Sequence, residues 1–85
     1  MGPTLKSLRA LADPTRLRIL AVLSRAELSV HELQEITTLV QSRISTHLAQ
    51  LQEAGLVQSR REGKRAFYRL ARHEGTPLRV QVELA

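Results

Sequence analysis

Cysteine and tryptophan are absent from this 85-residue chain, and its only aromatic residues are one tyrosine and one phenylalanine. Without thiols there are no disulfides and no thiolate metal sites, and thiol-based redox sensing is excluded. Two aromatics are too few for a platform that stacks the successive bases of a single strand. No uncharged apolar run approaches the roughly 20 residues that span a bilayer, and the first residues lack the apolar block of a secretory signal. No membrane partner is expected, and the expected location is the cytoplasm. Neither a nucleophile, base and orienter set nor a phosphate-cradling glycine loop is present, so no catalysis and no cofactor are expected. Acidic residues are also scarce. Thirteen Lys and Arg stand against eight Asp and Glu, a net charge of +5.

That excess is concentrated. Arg60, Arg61, Lys64, Arg65, Arg69 and Arg72 face Glu62 alone between Leu56 and Arg72. Clustered cations gain affinity for a polyanion by releasing the counterions condensed on its phosphates, although a basic surface also serves solubility alone. The length gives one small domain with a modest core, so self-association is expected. The apolar end, Val82-Glu83-Leu84-Ala85, reads as the front part of a longer protein.

Hydrophobic spacing predicts four helices. Thr4 caps a first helix with an apolar stripe of Leu5, Leu8, Leu11 and Ala12. Asp13-Pro14 ends it and starts a second, since Asp is a good N-cap and Pro fits the first helical position. In that second helix Leu17, Ile19, Leu20, Val22 and Leu23 cover most of the circumference, which places it at the centre of the core. Ser29 and Glu32 have the spacing of a capping box for a third helix, Val30 to Thr37, burying Val30, Leu33 and Ile36. After the Thr37-Thr38-Leu39 turn, a fourth helix runs from Gln41 to Ala54 and stops at Gly55.

Beyond Gly55 the period changes to two. Leu56 to Arg61 and Arg65 to Leu70 read as strands around Glu62-Gly63, with Leu28 to Val30 as a possible third. In the tail, Thr76-Pro77 is a fair helix start, while Val80, Val82 and Leu84 alternate like a strand; the helix is favoured.

Two short helices joined by a tight turn make a helix-turn-helix, here about residues 30–54, with a hairpin at about 56–70. Ile44, Leu48 and Leu51 form the inner stripe of the fourth helix, which leaves Gln41, Ser42, Arg43, Ser45 and Thr46 crowded outward at its front. A helix built to enter a DNA groove looks like this. The fold class is therefore mainly α with a small β-hairpin.

The residues that carry a family resemblance are Leu11-Ala12-Asp13-Pro14-Thr15-Arg16-Leu17-Arg18-Ile19-Leu20, Gln41-Ser42 with Ser45 and His47-Leu48, and Glu53-Ala54-Gly55-Leu56-Val57 leading to Arg61-Glu62-Gly63-Lys64 and Tyr68-Arg69-Leu70. In this order and spacing the chain resembles the ArsR/SmtB family of bacterial winged helix-turn-helix repressors, from about Leu8 to Leu70. The resemblance implies a homodimer through the terminal helices, with residues 71–85 entering a truncated dimerisation helix, and double-stranded DNA as partner. It implies that Gln41, Ser42, Arg43, Ser45 and Thr46 face base edges and nearby phosphates. Arg43 has either a guanine or a phosphate as its target, phosphate being favoured. His47 fits packing or a phosphate contact equally. Arg60, Arg61, Lys64 and Arg65 would supply affinity from the wing.

Two departures from the family pattern matter. Ser29 and His31 stand where metal-sensing members carry two cysteines, and the tail offers only His73 and Glu74, outside the family's other ligand set, so no metal is expected. Val40 stands where the family usually has a capping Ser. Other readings of the same residues are a winged module of a larger protein, such as a methyltransferase fusion, and a winged helix that binds protein.

Overall fold

The computed structural model describes residues 5–73 and 76–77. The order of elements is α1 (Leu5–Leu11), α2 (Pro14–Leu23), β1 (Leu28–Ser29), α3 (Val30–Thr37), α4 (Gln41–Glu53), β2 (Val57–Glu62), β3 (Arg65–Leu70), β4 (Arg72–His73) and β5 (Thr76–Pro77). Ile19, Leu20, Leu23, Leu33, Ile44, Leu48, Leu51, Leu56 and Val57 make the core, so every helix after α1 gives it large apolar side chains.

The local signals act as their chemistry dictates. Asp13 Oδ1 accepts from the Thr15 and Arg16 backbone N–H groups at 2.8 and 3.1 Å, and Pro14 opens α2 at a position that needs no donor. Ser29 Oγ accepts from Glu32 N at 3.2 Å while Glu32 Oε1 accepts from Ser29 N at 2.9 Å, a complete capping box. At the end of α4, Gly55 takes φ +77°, Leu56 N donates to Leu51 O at 2.9 Å and Gly55 N to Gln52 O at 3.0 Å. This paired closure satisfies two orphan carbonyls and turns buried Leu56 back onto Leu51. Between α3 and α4 the reversal is made by Thr38, which lies in the left-handed region at φ 62° without being glycine. Its N–H donates to Gln34 O at 2.8 Å and closes α3.

Several expectations are corrected. In α1 the buried residues are Ser7 and Ala10, while Leu5 and Leu8 are 64% and 52% exposed. Small residues on the inner face let the backbone of α1 approach the core, which turns the leucines outward. On α2, Leu17 is exposed, because neighbours cover only the side bearing Ile19, Leu20 and Leu23. In α3, Ile36 is exposed and Val30 half-buried; Leu33 and Thr37, four apart, face the core instead. The buried Thr37 hydroxyl donates to Leu33 O at 2.6 Å and accepts from Leu39 N at 3.3 Å, so its burial leaves no polar atom unpaired. In the tail, Thr76 and Pro77 form a strand paired antiparallel with Arg72 and His73, not a helix start. Proline on a two-stranded edge forfeits no ladder bond that the sheet requires. Thr4, the alternating Val80, Val82 and Leu84, and residues 74–75 and 78–85 of the expected terminal helix lie outside the described residues, while its residues 72–73 and 76–77 are strand.

The three-stranded sheet has the order β1-β3-β2. In the hairpin Glu62 pairs with Arg65 and Val57 with Leu70, around a two-residue Gly63-Lys64 loop in which Gly63 has φ +62°. The hairpin therefore starts and turns one residue later than the sequence suggests. Val57 is buried at its root and the rest of β2 is exposed, so the hairpin projects from the helices as a wing.

Candidate nucleic-acid interface

Arg16 locks α4 to the body of the molecule. Its guanidinium donates to Ala10 O at 2.7 Å, to Arg9 O at 3.3 Å and to Gln50 Oε1 at 2.7 Å. It thereby takes up the Ala10 carbonyl at the end of α1, shares Arg9 O with the Ala12 N–H, and holds the outer side of α4. Lys6 Nζ adds an ion pair to Glu53 Oε1 at 3.0 Å. With Ile44, Leu48 and Leu51 buried beneath it, α4 is fixed on three sides and free on the fourth.

That free face carries the residues singled out from the sequence. Gln41, Ser42, Arg43, Ser45 and Thr46 are all exposed and share the first turns of α4. The Thr46 hydroxyl donates to Ser42 O at 2.9 Å, which fixes its rotamer and leaves its oxygen free to accept. His47 is half-buried at the edge of this face, and its Nδ1 is buried with no hydrogen-bond partner among the described residues. Val40 is the N-cap residue, in extended conformation and 63% exposed. No side chain caps the helix, because Thr37 and Thr38 direct their hydroxyls to Leu33 O and Thr37 O instead. The Gln41 and Ser42 N–H groups meet no acceptor among the described residues. No acidic residue lies on α4 before Glu53.

The wing supplies the charge. Arg61, Lys64 and Arg65 are exposed at its tip and, like Arg43, form no ion pair among the described residues. Arg60 differs. Its Nε and Nη2 donate to Glu27 Oε1 and Oε2 at 2.8 and 3.0 Å, and its Nη1 to Glu62 Oε2 at 2.8 Å. The guanidinium carbon lies 4.9 Å from the centroid of the Phe67 ring, so a cation–π contact completes the cage. The hydrogen bond from Arg60 holds the Glu27 carboxyl below its ordinary value, and the same contact raises the guanidinium further still. Glu27 had no signal in the sequence, since a pair separated by 33 residues leaves no local pattern.

Among the described residues, no three His, Asp or Glu side chains converge as a metal site would need. His31 Nε2 pairs with Glu35 Oε1 at 2.8 Å along one exposed face of α3. No helix among the described residues is long and apolar enough to cross a membrane.

The family model of bacterial regulatory proteins of the arsR family matches residues 13–59, from the cap of α2 into the wing. The chain belongs to the arsR family. Among other arsR-family proteins, the biofilm growth-associated repressor of Agrobacterium fabrum is 42% identical over 71 residues, covering 84% of this chain and 61% of that protein. The transcriptional activator HlyU of Vibrio cholerae is 43% identical over 77 residues, 91% of this chain and 68% of its own. The solved structure of HlyU from that species superposes with a TM-score of 0.83 at 41% identity, covering 94% of this chain and 84% of the HlyU chain. The homodimeric winged helix-turn-helix domain of Mb0332 from Mycobacterium bovis gives a TM-score of 0.82 at 34% identity, over 93% of this chain and 73% of the other. The chain spans between about half and two thirds of the length of the first curated relatives, 61% and 49% of two of them. The fold is thus the winged helix-turn-helix of arsR-family regulators.

Proposed function

We propose that the chain is a sequence-specific, double-stranded DNA-binding transcriptional regulator that works as a homodimer and represses by occupying an operator. The observation that carries this reading is the joining of an uncapped, acid-free helix face, Gln41 to Thr46, to the unpaired cations of an adjacent wing. In the complex α4 enters the major groove, where Gln41, Ser42, Ser45 and Thr46 offer donors and acceptors to base edges and Arg43 reaches a phosphate. Arg61, Lys64 and Arg65 lie along the flanking backbone. His47 takes a packing role at the margin. The relatives named above include a repressor and an activator, both transcriptional regulators.

The exposed leucines of α1 support the dimer. Leu5 and Leu8 lie three residues apart on one helical face, an apolar strip that a small domain covers best with a second copy of itself. A two-fold dimer places its recognition helices about one DNA turn apart, roughly 34 Å. With Arg43, Arg61, Lys64 and Arg65 contributed twice, the logarithm of affinity should fall with the logarithm of salt at a slope of about −7. The test is selection of bound fragments from genomic DNA, followed by titration of the selected fragment at several salt concentrations. An inverted repeat with half-sites one turn apart is expected. Absence of salt-sensitive binding to any fragment would sink the proposal.

A further inference from the structure

Arg60 stands among the wing cations in sequence, yet all three of its guanidinium nitrogens are engaged inside the molecule. The register shows what it spans. Arg60 of β2 is opposite Phe67 of β3, and Phe67 is opposite Ser29 of β1. The side chain therefore lies over the middle strand, rests on the Phe67 ring and takes both oxygens of Glu27 just before β1. Glu27 belongs to the segment that leads through Ser29 into the capped start of α3. The contact consequently ties the outermost strand of the wing to the first helix of the helix-turn-helix. Elsewhere β2 is held by its ladder to β3, by Val57 in the core and by a single neutral hydrogen bond from Gln52 Nε2 of α4 to Ser59 Oγ at 3.2 Å, and every residue in it after Val57 is exposed.

We propose that Arg60 and Glu27 form a strut that sets the pitch of the wing against the helix-turn-helix, and that both are positioning residues for DNA binding rather than phosphate contacts. This inference rests on the DNA-binding reading given above. A bidentate fork constrains direction as well as distance, which a point contact from lysine does not. With the strut in place, Arg61, Lys64 and Arg65 meet the backbone at a fixed offset from α4. Without it the hairpin rocks about its root at Val57 and the cations no longer reach their phosphates together.

The variants are Glu27→Gln, Arg60→Lys and the pair combined, each checked for folding by circular dichroism. Each should bind the selected fragment about fivefold more weakly, in the range of a networked surface ion pair, with the salt slope within about half a unit of the parent because no phosphate contact is removed. The double variant should lose no more than either single, since all three break the same contact. Backbone amide exchange at Arg60 and Phe67 in the free protein should quicken several-fold. Tighter binding of Glu27→Gln to random DNA with a steeper slope would overturn the proposal by showing Arg60 to be a phosphate contact held back by Glu27. Full activity of Arg60→Lys, or unchanged exchange in all three, would also overturn it. A parent protein that binds no DNA would sink the functional reading instead, and the exchange experiment would still judge the strut.

Discussion

Val40→Thr is the substitution most directly dictated by the structure. Val40 already holds the extended conformation of an N-cap residue, with φ −74° and ψ 153°, and its carbonyl accepts from Arg43 N and Ile44 N at 3.1 Å each. It lacks only a side-chain acceptor for the first-turn donors. Threonine keeps the branched shape, exchanges one methyl for a hydroxyl, and presents that oxygen to the Ser42 or Arg43 N–H. A side-chain cap contributes about 1 kcal/mol, and exchanging a methyl at a site 63% exposed gives back a few tenths. The net gain of about 0.5–1 kcal/mol corresponds to a rise of roughly 3–6 °C in Tm for a domain of this size. The assay is thermal denaturation followed by circular dichroism, with parent and variant at equal protein concentration because a dimer's Tm depends on it. Val40→Ala is the control: it removes the same apolar bulk without adding an acceptor and should not raise Tm. The salt slope of DNA binding should not change, since no cation is gained or lost. Equal Tm for Val40→Thr and Val40→Ala would refute the reasoning and mean that this helix start is held in some way other than the missing cap.

Replacing Arg61 and Lys64 together with alanine should weaken binding to selected and random DNA alike and flatten the salt slope by nearly two units per protomer, measured by fluorescence anisotropy across a salt series. An unchanged slope would remove the wing tip from the interface. Leu5→Asp with Leu8→Asp should dissociate the dimer, because burying four half-exposed leucines contributes about 4 kcal/mol, a factor of roughly a thousand in Kd; sedimentation that still shows a dimer at micromolar concentration would refute this. Acid should destabilise the fold through three carboxyls held below their ordinary values, Asp13 by the Arg16 backbone N–H, Glu27 by Arg60, and Glu32 by the Ser29 backbone N–H. Their stabilisation is complete above the unfolded-state values and is lost as pH falls through the lower native ones, so Tm should decline below about pH 4.5, with these groups causing no further change in Tm above about pH 5.5. A Tm that held constant down to about pH 3 would contradict the three contacts.

What could be read from the sequence was whatever a few adjacent residues decide among themselves. Asp13-Pro14, Ser29 with Glu32, and Gly55 each specify a backbone event through their own hydrogen bonds or their own freedom of rotation, and the structure places helix ends at each. Apolar spacing likewise found the helices. It did not find which apolar residues are covered, because that depends on the neighbour: Ser7 and Ala10 face inward where Leu5 and Leu8 were expected, and Thr37 takes the place of Ile36. The same limit applies at the wing. Six cations in a row of seventeen residues announce charge, but not that the distant Glu27, with Glu62 and Phe67, engages Arg60 and leaves Arg61 unpaired among the described residues. The tail misled for a further reason. Thr76-Pro77 suits a helix start and a strand edge equally, and pairing with Arg72 and His73 decides between them.

The closure at Gly55 has a consequence for the DNA itself. Only Ala54, Gly55 and Leu56 separate the last residue of α4 from the first of β2; each donates its backbone N–H to a carbonyl of α4, Leu56 O accepts from Ala71 N, and Leu56 is anchored in the core. With the Arg60–Glu27 contact also in place, α4 and the hairpin are thus held as one body. In the proposed complex, the bases under α4 and the flanks under the wing would therefore be read in a fixed phase. A base pair inserted between them would put the flanks out of step by about a tenth of a turn, and the protein has no joint there with which to follow.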